Sequence, residues 1–435
     1  MRVRQLTPLR RARRMLALAL CLALLTPLCL AEEAAYTDYA ASVRPDRTGA
    51  SARQEVTVKA FVDGDTTHFL VPESVAAGGV LKARYLAVNT PESTGRIEEY
   101  GKKAAAFVRE RLSAASSILI ESDTETWNLD STGERYLVWV WYKPEAAAPY
   151  RNLNIELLQN GLAVAYSAGS TRYGAVCTAA LSQAKNQKLN LFSGQKDPDF
   201  YYGDAVELTI RELRCHPQQY EGMKVAFHGT VILNSANSVY LEAYDEETGL
   251  YFGMSAYYGF SLSGAGLDIL SVGNEVRIVG SFQYYEGGGI WQATDLKYRM
   301  MKPDDPGNIQ KLGEGRVPAY TLIRAAQLQE RRTVPGTEGQ PAEEYSFAAL
   351  ALSTSVSLEG LRVQSAEETD RGVSLLCVQE GAPIRAYLAL TAAEGARPAA
   401  EYVNQLIDVK GLLEQNGEEY QIRVFSPEGV QIQPQ

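Results

Sequence analysis

From Val56 to Val430 the chain keeps returning to short runs in which apolar and polar residues alternate. Val225-Ala-Phe-His-Gly-Thr-Val-Ile and Glu275-Val-Arg-Ile-Val-Gly-Ser-Phe are examples. Alternation over a few residues, ended by Gly, Pro, Asn or Asp, is the signature of half-buried strands. Helical spacing is legible in three places, all before residue 192: Glu98 to Ala114, Leu153 to Asn160 and Thr178 to Leu191. A mainly β chain with some α, of the α+β class, is therefore expected, and 435 residues leave room for about three domains.

Two later stretches repeat one design. Val276-Arg-Ile-Val-Gly280 and Ile407-Asp-Val-Lys-Gly411 each carry a strand into a Gly, then a turn, then a return strand with Gln292 or Gln421. Five-stranded barrels of the oligonucleotide/oligosaccharide-binding (OB) type look like this, with the Gly easing a sharply coiled strand at a barrel corner. Breaks in the pattern give the expected layout. A polar linker covers 32–53 and a first domain 54–195, closing before Lys196-Asp-Pro-Asp199. An OB-like module covers 204–303, an irregular linker 304–344, and a second OB-like module 345–435.

Residues 1–31 are set apart by composition. They hold six Arg and no acid, then an apolar run from Met15 to Leu25, then Thr26-Pro-Leu-Cys-Leu-Ala31. That is a basic region, a short apolar region and a small-residue cleavage site. The run is well short of the ~20 residues a membrane span needs. We expect a signal peptide cleaved near Ala31, a secreted protein and no membrane span. Without those arginines the chain is more acidic than its overall formal charge of −10. Three cysteines remain, Cys177, Cys215 and Cys377, in no spacing that suits a soft metal, and an odd number leaves at least one unpaired.

The residues that carry chemistry lie early. Val62-Asp-Gly-Asp65-Thr66 is followed by Arg84, Asn89-Thr90-Pro-Glu92 and, much later, Gly133-Glu-Arg135. Alone, each is commonplace: a turn, a helix start, a solvated arginine. Together they are hard oxygen donors, a carboxylate and two guanidinium groups, a set that suits a divalent cation and a phosphate.

In order and spacing these segments resemble the thermonuclease (staphylococcal-nuclease-like) family. So do Tyr100-Gly-Lys-Lys-Ala-Ala-Ala-Phe, Asn154-Ile-Glu-Leu-Leu-Gln-Asn-Gly-Leu-Ala163 and Ala184-Lys-Asn-Gln-Lys-Leu-Asn-Leu-Phe-Ser193, over about 140 residues from Val56 to Ser193. The resemblance implies an OB barrel with three helices, and a Ca²⁺-dependent hydrolase cutting DNA and RNA to 3′-phosphate products. It implies Asp65, Asn89 and the Thr90 carbonyl as metal ligands. Glu92 is implied as the residue that positions or deprotonates water, and Arg84 and Arg135 as the phosphate-binding pair. Tyr166 is implied as an aromatic of the nucleotide pocket.

Two departures stand out. Asn89 replaces the usual Asp, and Glu134 is one residue more than the usual Gly-Arg; the role stays with Arg135 because it needs a guanidinium. These departures carry the alternative, a catalytically weakened nucleic-acid or cell-surface binding protein built from OB-type barrels. The later modules are acidic, net −8 over 194–310 and −6 over 311–435 against −1 over 54–193, which disfavours tracking a phosphate backbone. Cell-wall or carbohydrate contact is their alternative use. A monomer is expected.

Overall fold

The computed structural model describes residues 36–46, 48–336, 341–369, 371–389, 397–417 and 419–434. The chain divides into Met1–Asp38, of which the described part is residues 36–38, and Tyr39–Gln435, which holds every element below. The expected signal peptide, 1–31, lies outside the described residues.

The first barrel is built from β1 (Arg53–Phe61), β2 (Thr66–Leu70), β3 (Val80–Tyr85), β4 (Ser117–Glu121) and β5 (Tyr136–Lys143). Hydrogen bonding runs β3-β2-β1-β4-β5, and a parallel β3–β5 pairing closes the circle. Alternation does the sorting. In β3, Leu81, Ala83 and Tyr85 are buried inside while Lys82 and Arg84 point out. The chemistry-bearing arginine is thus on the barrel's outer face by strand period alone.

Three helices decorate it: α1 (Gly101–Ser113), α2 (Leu153–Gln159) and α3 (Gly174–Asn186). Helix α2 is buried on all sides, and Asn154 in its first turn ties it to the barrel. Its Nδ2 donates to Leu86 O (2.9 Å) and Val138 O (3.1 Å), and its Oδ1 accepts from Val140 N (2.9 Å). Helix α3 starts four residues before the expected Thr178. Gly174 allows this, because a Cβ there would lie 2.1 Å from Ala168 O. It also stops short of Leu191, because Lys188 (φ 52°) and Asn190 (φ 43°) turn left-handed.

The later modules are two further closed five-stranded barrels. The second uses β6 (Lys224–Ser235), β7 (Ser238–Asp245), β8 (Leu250–Tyr257), β9 (Glu275–Tyr285) and β10 (Ile290–Thr294). The third uses β11 (Ser355–Thr369), β12 (Gly372–Gln379), β13 (Ala382–Ala389), β14 (Leu406–Asn416) and β15 (Glu419–Val424). In each, the third and fifth strands pair in parallel and the fourth closes on the first, the same topology as the first barrel. The repeated glycines do the same work in both. A Cβ on Gly280 would sit 2.4 Å from Thr294 O, and one on Gly411 2.4 Å from Arg423 O.

Described residues in both stretches expected as linkers form regular structure. Tyr39–Ala41 forms a helical turn with Ala40 fully buried, its N–H donating to Gln159 Oε1 (3.0 Å). Within 304–344, Gln310–Gly313 extends the second barrel beside β9, Thr321–Leu322 pairs with β11, and Arg331–Val334 forms a hairpin with Glu343–Ser346. A polar composition hid these strands, because edge strands and docking hairpins bury little apolar surface. All three cysteines are free and buried, one in each barrel unit. Among the described residues no helix is long and apolar enough to cross a membrane.

Candidate functional site

The Asp63-Gly64-Asp65 turn is shaped locally. Asp65 N donates to Asp63 Oδ1 (3.1 Å), and Gly64 is wedged so tightly that a Cβ would lie 2.8 Å from both Thr90 and Ala104. This brings Asp65, 2 % exposed, under the Asn89–Thr90 segment. Its Oδ2 accepts from Thr90 N (2.8 Å), its Oδ1 from Thr66 Oγ1 (3.1 Å), and its main-chain carbonyl from Tyr85 N (2.8 Å). The β2–β3 register sets Thr66 opposite Arg84, whose guanidinium pairs with Asp65 Oδ1 and donates to Asn89 Oδ1.

The parallel β3–β5 register pairs Ala83 with Tyr136 and Arg84 with Leu137. Stepping back one residue sets Arg135 beside Lys82, on the same outer face as Arg84. The loop before it is a tight Asp130–Arg135 turn, with Gly133 at φ 75° and Asp130 N donating to Arg135 O (2.8 Å). Glu134 is exposed in this turn. Asp130 Oδ2 accepts from Arg135 Nε at 2.7 Å, which orients the guanidinium.

Glu92 is held through its backbone. Its carbonyl accepts from Glu98 N (2.9 Å), and Gly101 packs so closely that a Cβ would lie 2.1 Å from Glu92 O. Electrostatically the charged groups form one cluster. Burial pushes the Asp63 carboxyl up, against the pull of Arg84 and then Arg135. Glu92, on the surface, is also pushed up, first by the protein crowding it and then by Asp63, while Arg84 opposes. Desolvation pulls Arg84 down, with Asp63 the main opposing charge.

Of the seven residues singled out, six thus share one patch. Tyr166 adjoins it: its N–H donates to Ala87 O (3.0 Å), at the end of a short ladder pairing Val88–Asn89 with Val164–Ala165, and the residue is 65 % exposed. Asp63 and Asp130 had no role assigned from sequence. Asp63 stands in the quoted motif and could have been chosen; the Asp130–Arg135 pairing needs the loop's shape.

Among the described residues no three His, Cys, Asp or Glu side chains converge as a metal site. Calcium would need the mixed set of the Asp65 carboxylate, the Asn89 amide oxygen and the Thr90 carbonyl. These are hard oxygens, and they fit calcium in donor type. Arg84 engages two of those residues, so a cation there would compete with its guanidinium.

One support comes from beyond residue 195. Helix α1 has no capping side chain of its own, and Tyr100 before it is left-handed (φ 64°). The buried Asp197 supplies the cap from a distance, its Oδ2 accepting from Tyr100 N (2.6 Å). Because Gly101 lies against the Glu92 carbonyl, Asp197→Ala is expected to lower kcat of a reaction at this site ~10–10²-fold, as small misplacements do. KM should barely change, and Asp197→Asn, which can still accept, should recover most of the loss. Equal kcat in steady-state assays of all three proteins would remove Asp197 from this role.

Residues 82–194 match the model of the staphylococcal nuclease homologues. The match contains Arg84, Asn89, Thr90, Glu92, Arg135 and Tyr166 and begins after Asp65. No curated protein matches the chain. The outer-face cluster and the matched segment belong to one closed barrel with its three helices, so the N-terminal domain is similar to the staphylococcal nuclease homologues over residues 82–194, and two OB-like barrels follow it.

Proposed function

We propose that this protein is an exported, calcium-dependent nuclease that hydrolyses phosphodiester bonds of DNA and RNA to 3′-phosphate and 5′-hydroxyl ends. The observation that carries the reading is the single electrostatic cluster of Asp63, Arg84, Glu92 and Arg135 on the outer face of the first barrel. Export rests on the composition of residues 1–31.

The chain's residues divide the work. Arg84 and Arg135, on one face, hold two non-bridging oxygens of the phosphate, where negative charge grows during in-line attack. Asp130 keeps Arg135 aimed. Glu92 accepts a proton from the attacking water; the water oxygen bonds to phosphorus, and the bond to O5′ breaks as that oxygen takes a proton from solvent. Asp65, Asn89 and the Thr90 carbonyl would hold calcium, which would supply further positive charge to the phosphate. Arg84 exchanges its contacts with Asp65 and Asn89 for the substrate's oxygens.

The test is digestion of single-stranded DNA by the chain from Glu32 onward, across 0 to ~10 mM Ca²⁺, a span that includes weak extracellular sites. Calcium-dependent cutting supports the reading. No cutting at any calcium level by folded protein favours the second reading, a nucleic-acid-binding module. That reading draws on the neutral Asn89 and on Arg84 lying across its carbonyl oxygen. The same titration checks Asn89→Asp, which adds one negative charge at the site. Its calcium midpoint is expected to fall roughly tenfold, equivalent to ~1.4 kcal/mol; an unchanged midpoint would place Asn89 outside the metal's ligands.

A further inference from the structure

We propose that the Tyr284–Trp291 hairpin of the second barrel is a stacking platform for the bases of a single-stranded polynucleotide whose scissile phosphate sits at the Arg84–Glu92 cluster. The proposal extends the nuclease reading to the substrate's flank and rests on it for the position of the strand.

The hairpin is built to hold aromatic rings still. Strands β9 and β10 set Tyr284 directly opposite Trp291, with ring centroids 5.2 Å apart. Trp291 is backed by the fully buried Phe282, stacked at 5.4 Å and 13° between planes. Tyr284 is 44 % exposed, so one side of this pair faces solvent over a fixed floor. On the other face Tyr285, 49 % exposed, lies over the glycines of the turn. A Cβ on Gly287 would fall 2.6 Å from its Oη, and one on Gly288 2.8 Å from its ring. Isolated exposed tyrosines are ordinary. Here adjacent aromatics are locked by a buried ring behind and bare backbone beneath, which removes the ordering entropy a stacking surface would otherwise lose on binding.

The hairpin's position selects the ligand. Glu286, at the turn, pairs with Arg109 of α1 at 2.8 Å, and Arg109 lies over the Phe61 ring at the end of β1. Nearer the start of α1, Lys102 fills the space above Gly222 of the second barrel. The second barrel therefore lies along the helix whose first residue touches the Glu92 carbonyl. Arg109 is eight residues beyond Gly101, ~12 Å along the axis, within reach of the ~4–16 nucleotides that an OB barrel engages. The loop between fourth and fifth strands is one by which OB barrels take oligonucleotides or oligosaccharides. The net charge of −8 over 194–310 disfavours a phosphate track on the second barrel. Stacking needs no charge and tolerates any base, so the phosphates can stay with the first barrel while the bases reach the hairpin.

The test uses the chain from Glu32 onward in the Glu92→Gln background, with chelator, so that binding is read without cleavage. Fluorescence anisotropy measures affinity for a labelled 20-mer of thymidylate and for a labelled trinucleotide. Tyr284→Ala is expected to weaken the 20-mer roughly tenfold, the effect of one stacked base. The trinucleotide should bind as before, and the slope of affinity against salt should not change. Tyr285→Ala, at a half-exposed residue beside the turn, provides a second variant should the first disturb the hairpin. Equal 20-mer affinity in parent and both variants overturns the proposal, as does a parent that binds insoluble polysaccharide but no DNA. Weakened binding by the variants, together with no cutting by the protein that keeps Glu92 at any calcium level, would remove the nuclease reading and leave the platform standing.

Discussion

Glu92→Gln in the chain from Glu32 onward is expected to lower kcat on single-stranded DNA by ~10²–10⁴, the usual contribution of a positioned proton acceptor. The substitution is nearly isosteric and leaves the backbone contacts of residue 92 with Glu98 and Gly101 intact. What it removes is the capacity to take a proton from water. Substrate affinity should stay close to the parent's, because the proposed phosphate ligands Arg84 and Arg135 do not depend on the residue 92 side chain for a hydrogen bond. Steady-state kinetics at saturating calcium therefore should show a loss in kcat with little change in KM. A matching fall in both kcat and affinity would mean that Glu92 shapes the site instead. An unchanged rate would move the proton acceptor to another carboxylate, and Asp63 is the next in the cluster, held up by burial beside both arginines.

The parts of this molecule that could be read in sequence are those with a short-range physical signature. Alternation in Val80–Tyr85 predicts which side Arg84 faces, because strand period is local. Gly280 and Gly411 mark the same corner in two barrels because backbone crowding there excludes any side chain. The order of Asp65, Arg84, Asn89, Thr90, Glu92 and Arg135 points to one shared patch, the candidate site, because the barrel brings those strand ends together. What stayed hidden depends on contacts between distant segments. Asp197 reads as an ordinary acidic boundary residue until Tyr100 is seen to need a cap 97 residues away. Ala40, Asp46 and Ser51 lie in a polar stretch short of aliphatics, yet they dock it through hydrogen bonds to Gln159 and Glu121 that composition cannot reveal. The start of α3 at Gly174 is likewise set by the approach of Ala168 O and not by helical spacing.

The largest stability effect is expected at Glu121, which no sequence pattern singles out. Its side chain is fully buried at the end of β4 and gathers four donors from separate parts of the domain. Trp141 Nε1 donates to Oε2 (2.8 Å), while Arg172 Nη1 (3.0 Å), Asp46 N (2.9 Å) and Ser51 Oγ (2.7 Å) donate to Oε1. Glu121→Ala leaves a buried indole N–H and a partly buried guanidinium without their acceptor, and frees the strap that precedes β1. Breaking a buried pair from one side costs about 3–5 kcal/mol, whereas exposed pairs elsewhere, such as Arg397–Glu401, should contribute at most about 1 kcal/mol. The three free cysteines allow the effect to be localised: Cys177, Cys215 and Cys377 are each buried, one per barrel unit. Burial also pushes the Cys177 thiol up to about 12, so it stays unreactive until its domain opens. In pulsed thiol labelling across a urea series, Glu121→Ala should bring Cys177 labelling to lower urea by at least about 1 M, given a slope of ~1–3 kcal/mol/M. Cys215 and Cys377 should hold their midpoints if the barrels open one by one. A common shift of all three would show that the nuclease-like barrel and its two OB-like neighbours unfold as one cooperative unit. An unmoved Cys177 midpoint would mean that water or a neighbouring group replaces the carboxylate, and that the strap is held without it.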